Sequence, residues 1–280
     1  MFEPEYTQYL KTGRMDGPEI EALQLTGVRR LLERGDGEEV TFEDPVIGNK
    51  VVGVDKEYAL GIAITKRTVE DDKYRKANQA AKWLARATRL TYEYRAAALL
   101  DDAFAGATFT GLDGLALCHT AHTLLNPGSG ATTTQNRPTT EVGFGLTGIN
   151  ALLDLSELMK DENGDPSPMK IDTVIYNPTQ KSKAIQIFGS DLEPFTADNQ
   201  DNAVKKRLPT IKHVVKRYTT NTTSYHLVDS RLNDAWVLTR RPVEFSDDFD
   251  FKTSAAMYMA AVRFLIWFAD HRGWLGSNPS

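Results

Sequence analysis

The chain has 280 residues, of which 41% are apolar and 25% charged, so it can bury a core, and wholesale disorder is excluded. Its net charge of −5 excludes a generally basic, nucleic-acid-coating surface but leaves room for a local basic patch. The single cysteine, Cys118, excludes an intrachain disulfide framework and fits a reducing cytosol. No secretory signal is expected at the start of the sequence, and no stretch is long and apolar enough to predict a membrane span.

Residues 1–38 are predicted to form an N-terminal arm, because they are polar and contain several glycines. One helix is expected within this arm, over residues 19–34. Pro18 lies near its first turn, and Gly35 can supply the left-handed cap that ends it. The apolar residues give only a thin stripe along such a helix.

Residues 39–68 are predicted to form a two-stranded β-ribbon with a polar tip at residues 44–57. Val40 and Phe42 begin the first strand, turn residues occupy the tip, and residues 58–65 have the composition of a second strand. A two-stranded ribbon is only marginally stable by itself in water, so we expect it to pack on something else.

The strongest single pattern is a long alanine-rich helix over residues 69–105, which contain no glycine or proline. Thr68 is a suitable N-cap, apolar side chains recur at helical spacing, and Gly106 ends the pattern. At 1.5 Å per residue this helix would be roughly 50 Å long, more than a compact domain of this size needs. It is either an amphipathic surface helix or a spine that braces an extended, flattened subunit. Its basic side carries Arg75, Lys82, Arg86, Arg89 and Arg95.

The rest of the chain is predicted as a loop region, a mixed unit and a strand-rich tail. Residues 106–145 are rich in turn residues and threonine. Helices are expected over 146–160 and 179–188, on either side of a buried strand at 171–176. Periodicity alone leaves 257–268 open between a strand and a buried helix. Further strands are expected at 208–217, 224–229, 235–240 and 243–246.

Motifs that carry chemistry are scarce. The sequence contains no Walker-type phosphate loop, no strand-linked dinucleotide fingerprint and no nucleophile elbow. His119 and His122 are spaced so that two imidazoles could share a zinc ion, but no third ligand or activating base accompanies them. We therefore interpret both histidines as structural loop residues, and we predict no enzymatic activity, no catalytic residue, no cofactor and no bound metal.

The order of these features is informative: an arm, a ribbon, a long alanine-rich helix, a mixed unit and a strand-rich tail. Three segments in this order, residues 58–74, 112–122 and 263–276, resemble the major capsid proteins of tailed bacteriophages, which have the Hong Kong 97-type fold. The likeness covers almost the whole chain. It implies an α+β fold of this type and a major capsid protein that self-assembles into the icosahedral head shell around the phage genome.

The resemblance also implies a role for each part of the chain. Residues 1–38 would be the N-terminal arm, 39–68 the extended loop over an adjacent subunit, 69–144 the peripheral domain with the spine helix, 145–235 the axial domain, and 236–280 the return to the peripheral domain. Contacts between subunits would then involve the extended-loop residues Lys50, Lys56, Glu57, Tyr58, Leu60 and Ile62. Covalent crosslinking is not carried over, because nothing identifies a partner for the lysines.

The implied partners are copies of the chain arranged as hexamers and pentamers, and packaged double-stranded DNA at the inner face, contacted without sequence specificity. Scaffolding, portal and decoration proteins are further candidates, and no membrane is involved. Scaffolding would come from a separate protein or from a segment missing from this chain. The protein would lie in the virion after assembly in the bacterial cytoplasm. The alternatives are an encapsulin-like nanocompartment shell protein and, from a different class, a metal-dependent hydrolase that uses His119 and His122.

Overall fold

The computed structural model describes residues 4–40, 42–71, 76–126, 132–194 and 200–279. The chain divides into two compact units, and each is built from segments that are distant in sequence. Unit 1 comprises Met1–Ile20, Gly53–Leu100 and Ala235–Trp267, and unit 2 comprises Glu21–Val52, Asp101–Asp234 and Phe268–Ser280. In the described ranges, no helix has the length and apolar character needed to cross a membrane.

Short and long strands alternate with a small number of helices along the chain. The strands are β1 (Lys11–Arg14), β2 (Glu19–Leu25), β3 (Ile47–Val54), β4 (Lys56–Thr65), β5 (His122–Thr123), β6 (Thr133–Thr134), β7 (Thr173–Tyr176), β8 (Lys212–Val215), β9 (Tyr225–Val228), β10 (Ala235–Asp250), β11 (Ala255–Phe268) and β12 (Trp274–Ser277). The helices are α1 (Lys66–Glu70), α2 (Lys76–Asp102), α3 (Leu146–Leu158), α4 (Lys181–Gly189) and α5 (Ala203–Arg207), with 3-10 turns at Tyr6–Gln8 and Pro178–Gln180.

Unit 1 contains a four-stranded sheet in the order β1-β10-β11-β4. Strand β1 runs parallel to β10, and β4 runs antiparallel to β11 with Leu60 opposite Ala260. Helix α2, about 40 Å long, packs on this sheet through the ring of Tyr92, which stacks on Phe264 at 4.1 Å. The buried apolar residues of the unit therefore come from both the helix and the sheet.

Two buried carboxylates fix the ends of segments in unit 1. Asp55, between β3 and β4, lies 2.8 Å from Arg263 Nε and 3.3 Å from Arg240 Nη1. Glu93 on α2 accepts hydrogen bonds from the backbone N–H groups of Glu5, at 2.9 Å, and Tyr6. Burial raises the pKa of Glu93 above its usual value, against the lowering effect of these two hydrogen bonds.

Unit 2 is built on a second four-stranded sheet, in the order β12-β9-β7-β8. Strand β9 is antiparallel to both β12 and β7, whereas β8 is parallel to β7. Strands β7 and β9 are buried along their whole length, and α3 and α4 contribute to the same core. That core includes Ile149, Leu152, Val174, Ile187, Tyr225 and Leu227.

The helix predicted over residues 19–34 is wrong. Residues 19–25 form β2, and residues 26–34 have neither helical nor strand structure. The burial of β2 alternates with a period of two, because Ile20, Ala22 and Gln24 lie on the covered side and the residues between them are exposed. This alternation is typical of a strand, and the pairing of β2 with β3 outweighs the helix-start and helix-end residues that flank the segment.

The ribbon predicted over residues 39–68 is wrong in its pairing. Strand β3 pairs with β2, whereas β4 joins the sheet of unit 1. The predicted polar tip at 44–57 therefore contains all of β3, and the true connection is the loop 26–46. Gly48 is not a turn residue but lies within β3, and a Cβ atom there would lie 2.8 Å from the ends of the Leu125 and Gln24 side chains, which would have to move to accommodate it.

The other predicted elements are confirmed with small changes of boundary. Helices α3 and α4 and strand β7 occur where the sequence places them. The long helix ends at Asp102, because its carboxylate accepts N–H groups at residues 107–109 and so stabilises the turn away from the axis. Residues 72–75 of the predicted helix lie outside the described residues. The two tail strands predicted at 235–246 form one strand, and the ambiguous segment 257–268 belongs to strand β11.

Candidate assembly surfaces

Among the described residues, the largest group of exposed apolar side chains lies on the ribbon, which we define as residues 19–54: β2, β3 and the loop 26–46 between them. Residues 27–40 are all exposed. Leu31 is 100% exposed and Phe42 is 91% exposed. Further exposed apolar side chains of the ribbon are Leu23, Leu25, Val28, Leu32, Val40, Val46, Ile47, Val52 and Val54. Concentrated apolar exposure of this kind marks a surface that another protein covers.

The ribbon loop is held by polar contacts rather than by a core. Arg29 pairs with Glu43 at 2.8 Å, and Arg30 pairs with Asp165 at 2.9 Å. The hydrogen bonds from Arg29 hold the pKa of Glu43 below its usual value. Partly exposed pairs of this kind contribute roughly 0–1 kcal/mol each. The loop can therefore adapt to a partner at little cost.

A second exposed surface is the end of the β10–β11 hairpin, which we define as residues 242–254. Residues 242–249 are exposed on both faces of the strand, so no described layer covers them. Phe245 and Phe249 lie on one face, and Phe251 beyond them is 89% exposed. The hairpin end is also acidic, with Glu244, Asp247, Asp248 and Asp250.

Strand β4 forms an edge of the sheet in unit 1, and no described strand pairs with its outer side. It is ten residues long and mostly exposed, including Leu60. An edge of this length offers a row of unpaired backbone groups on which a strand of another chain can add.

A buried polar cluster in unit 2 contains one of the two histidines singled out in the sequence. His122 Nδ1 lies 2.5 Å from Asp113 Oδ2, and His122 Nε2 lies 3.0 Å from Asn136 Oδ1. The Asn136 amide nitrogen donates to the carbonyls of Leu117 at 2.7 Å and Trp274 at 2.9 Å, which fixes its oxygen as the acceptor toward His122. Both ring nitrogens of His122 therefore lie within hydrogen-bond distance of a side-chain oxygen.

The pKa values of two groups in this cluster are shifted by their surroundings. Burial alone would raise the pKa of Asp113. The hydrogen bond and the Coulombic interaction with His122 have the larger effect, so the pKa of Asp113 lies below its usual value. Burial and the neighbouring His122 hold the pKa of His271 well below its ordinary value. The ring of His271 stacks on that of His122, and its Nε2 has no hydrogen-bond partner among the described residues.

The cluster does not have the geometry of a metal centre. Asp113, His122 and His271 each offer a ligand atom, and these atoms lie within 4.8 Å of one another. However, the rings of His122 and His271 are stacked at 3.6 Å with an interplanar angle of 1°. An imidazole binds a metal through a lone pair in its ring plane, so two parallel stacked rings cannot direct their lone pairs to one ion. His119 lies outside this set, edge-on to His122, and its Nδ1 accepts the N–H of Ala121.

Two further buried groups in unit 2 have pKa values shifted by burial. Burial raises the pKa of the Cys118 thiol, whose Sγ lies 3.9 Å from His226 Nδ1. The thiol is therefore inert rather than nucleophilic. Burial lowers the pKa of Lys216 to about 8, and its amine donates to Ser224 Oγ. No arrangement of nucleophile, base and orienting group is formed by these residues.

Comparison with known proteins identifies the family of the protein that carries these surfaces. The family described as phage capsid protein matches residues 52–275. The chain belongs to the phage capsid protein family. It is a capsid protein of a phage head shell, located in the virion, as the sequence resemblance predicted. No curated protein sequence matches the chain significantly.

Solved phage structures share the fold of this capsid protein. The capsid of Myoviridae phage XM1 is 12% identical, with a TM-score of 0.60 over 99% of this chain and 92% of that chain. The capsid of cyanophage P-SCSP1u is 13% identical, with a TM-score of 0.59 over 95% of this chain and 85% of that chain. A structure from Microbacterium phage Oxtober96 is 11% identical, with a TM-score of 0.57 over 98% and 90% of the two chains. These likenesses show the α+β, Hong Kong 97-type fold.

The contact residues predicted for the capsid protein lie on two different elements. Lys50 is on β3 of the ribbon, where it pairs with Glu21 at 2.5 Å. The other five, Lys56, Glu57, Tyr58, Leu60 and Ile62, lie on β4. Tyr58 packs inside unit 1, with Phe264 at 4.8 Å and the Arg95 guanidinium at 5.0 Å from its ring centre. Sequence reasoning missed the loop 26–46, because apolar residues in a charged loop carry no periodic signal.

Proposed function

We propose that the capsid protein closes its shell through the ribbon, which lies over a neighbouring copy and acts as the extended loop. The observation that carries this proposal is the exposure of Leu31, Phe42 and the other apolar ribbon residues on a segment with no core of its own. Burying these side chains against a second copy is favourable by about 25 cal/mol per Å² of apolar surface. The extended loop is then residues 19–54 rather than 39–68.

The remaining parts of the chain take related roles in this proposal. Residues 1–18 form the N-terminal arm, residues 145–235 form an axial domain that meets its copies around the capsomer axes, and the segments of unit 1 form the peripheral domain. Edge strand β4, with Lys56, Glu57, Leu60 and Ile62, and the hairpin end supply further contacts. The copies assemble as hexamers and pentamers in the cytoplasm of the bacterial host, and the closed shell encloses double-stranded DNA. Scaffolding, portal and decoration proteins are its partners during assembly.

In this proposal the shell protein performs no catalysis. Both ring nitrogens of His122 are occupied by contacts with Asp113 and Asn136, which leaves neither of them available to a substrate or a metal ion. His119 is occupied by a backbone N–H group. A metal-dependent hydrolase therefore has no geometric support, and no observation favours a nanocompartment over a phage head.

The test replaces the exposed apolar side chains of the loop without shortening it. Leu31→Ser with Phe42→Ser removes the two most exposed apolar groups, and both are remote from the cores of the two units. The matched control is Glu33→Ser with Glu39→Ser, which alters the same loop at two exposed polar positions. Negative-stain electron microscopy and size-exclusion chromatography measure shell formation, and circular dichroism confirms folding.

We expect shells from the wild type and the control, and folded but unassembled protein from the apolar variant. Replacing residues 27–46 by a short Gly/Ser turn should have the same effect more strongly. Full-size, equally stable shells from both altered loops would show that the ribbon is not the contact between subunits.

A further inference from the structure

The hairpin end presents aromatic side chains around a carboxylate. Phe245, Asp247 and Phe249 occupy alternate positions of strand β10, so their side chains lie on one face, which we call the aromatic face. Both phenylalanines and Asp247 are exposed. A hairpin without a covering layer is marginally stable in water, so burying these rings against another surface would stabilise it.

The charge of the hairpin end decides which surface can cover it. Residues 242–254 contain four acidic residues and one basic residue, a net charge of −3. Two carboxylates are engaged locally: Glu244 lies 3.5 Å from Arg241 Nε, and Asp250 accepts the hydroxyl of Thr253 at 2.6 Å. Asp247 is the carboxylate on the aromatic face. The covering surface must therefore combine apolar area with a cation, which excludes a second hairpin end and a nucleic acid.

Helix α2, in the same unit, offers that combination. Lys82, Trp83 and Arg86 are exposed and lie next to one another, because residues three and four apart are neighbours on a helix. We call these three residues the basic patch. Leu84, on a different side of the helix, is buried, so the patch faces away from the core. Tryptophan, phenylalanine and arginine are enriched where proteins meet, and a patch built around Trp83 therefore fits a protein surface.

We propose that the aromatic face of one copy packs on the basic patch of the next copy, with Asp247 opposite Arg86 and the two phenylalanines against Trp83. This contact rests on the proposed shell function and names the surface that the hairpin end meets. Two basic patches repel each other, as do two hairpin ends, so the contact joins unlike surfaces. A contact of this type passes from copy to copy and can close a ring. An arginine beside aromatic rings also gains from cation–π attraction.

The ribbon of the next copy is the competing partner for the basic patch. The ribbon contains eight acidic and four basic residues, so a patch of cations laid on it meets cations as well as carboxylates. The single basic residue of the hairpin end, Lys252, lies in the turn beyond the strand, and the aromatic face carries no cation. Charge complementarity therefore favours the hairpin end.

Exchanging the two opposed charges tests the contact. The measurement is the lowest concentration at which the full-length protein forms shells, followed by light scattering and electron microscopy, with circular dichroism to confirm folding. Arg86→Glu alone, or Asp247→Arg alone, places like charges together and should raise that concentration by about tenfold or more. The two changes combined should return it to that of the wild type.

Asp248→Arg is the matched control, because it makes the same change of charge at the next residue, which lies on the opposite face of the strand. Combined with Arg86→Glu, it should not restore assembly. Glu39→Arg, in the ribbon, should not restore assembly either. Unchanged assembly by the single variants, failure of the exchange, or equal restoration by either control would overturn the proposal.

Crosslinking detects the same contact directly. Cys118 is the single cysteine and is fully buried, so Arg86→Cys with Asp247→Cys supplies the accessible thiols of the chain. A short bismaleimide should join copies of this variant into a covalent ladder on a denaturing gel. Arg86→Cys with Glu39→Cys is the control for the ribbon, and a ladder from this pair instead would overturn the proposal.

The two experiments separate this contact from the proposed function. Wild-type shells without a ladder, and without restoration by the charge exchange, would count against this contact alone. A ladder from assemblies that never close into shells would count against the shell function alone, because the contact between copies would still be present. Neither shells nor a ladder would overturn both.

Discussion

Replacing Asn136 tests whether the buried polar cluster holds unit 2 together. The Asn136 side chain is fully buried and joins three segments: the loop that contains Leu117 and His119, strand β5 at His122, and the C-terminal segment at Trp274. Its oxygen accepts the N–H of His119 at 2.8 Å and the ring N–H of His122 at 3.0 Å. Asn136→Ala would leave four polar groups without their partner.

The magnitude follows from those four groups. A buried donor or acceptor that loses its partner costs about 1–3 kcal/mol, so Asn136→Ala should lower the free energy of unfolding by about 4 kcal/mol or more. Water that enters the space can recover part of the upper range but not all of it, since the groups belong to three different segments. A loss of this size is a large share of a typical stability of about 5–15 kcal/mol.

Urea unfolding of the unassembled subunit measures this loss. Tryptophan fluorescence is a suitable signal, because Trp274 is buried in unit 2 and its ring N–H donates to Asn233 at 2.8 Å. Asn49→Ala is the control: Asn49 is an exposed residue of β3, and surface changes of this kind stay within about 0.5 kcal/mol. An Asn136→Ala variant within 1 kcal/mol of the control, on the order of one lost hydrogen bond, would refute the reasoning.

Three further predictions concern separate features. Purified protein should contain no stoichiometric zinc by elemental analysis, and one metal ion per chain that is lost in His119→Ala with His122→Ala would contradict this. Leu84→Asp should prevent soluble, assembly-competent protein, since an unpaired buried charge costs several kcal/mol. Ala85→Pro should have the same effect, because proline inside a helix costs about 3 kcal/mol or more. Normal particles in electron microscopy from either variant would show that the packing assigned to α2 is wrong. Between about pH 8 and pH 10.5 the unfolding free energy of the wild type should rise relative to that of Lys216→Met, by up to about 3 kcal/mol. The reason is that in this range the buried amine of the folded protein has lost its proton, whereas the same amine in the unfolded chain still holds it. Parallel pH profiles of the two proteins in urea titrations would contradict this.

Much of unit 2 could be predicted from the sequence because its signals are local. Asn177 precedes Pro178 at the start of the helical segment, and its side chain accepts a hydrogen bond from the N–H of Thr179. Strand β7 is a short apolar run, and it is buried on both faces. In each case the residues that determine the element lie within it or next to it.

The errors have the opposite origin. Whether residues 19–25 become a helix or a strand is decided by β3, more than twenty residues later in the chain. The partners of β4 lie in β11, about two hundred residues away, so no local pattern reports that pairing. Such long-range pairing overrides local propensity.

The buried cluster was beyond sequence reasoning for the same reason. The spacing of His119 and His122 would allow both to bind one zinc ion, whereas the structure pairs His122 with Asp113 and stacks it on His271. Asn136 had no motif to mark it. A histidine spacing shows which side chains can meet, whereas the fold decides which of them do.

The composition of the ribbon loop explains how a free subunit can expose it without aggregating. Between residues 27 and 42, no more than two apolar residues occur in succession before a charge interrupts them. Charges in these positions oppose nonspecific apolar association, because burying them without partners costs more than the neighbouring leucines gain. A surface that fits around the loop with the Arg29–Glu43 and Arg30–Asp165 pairs intact can bury the same leucines without that cost. The charges therefore select a matching neighbour, and in a shell of identical subunits that neighbour is another copy of the chain.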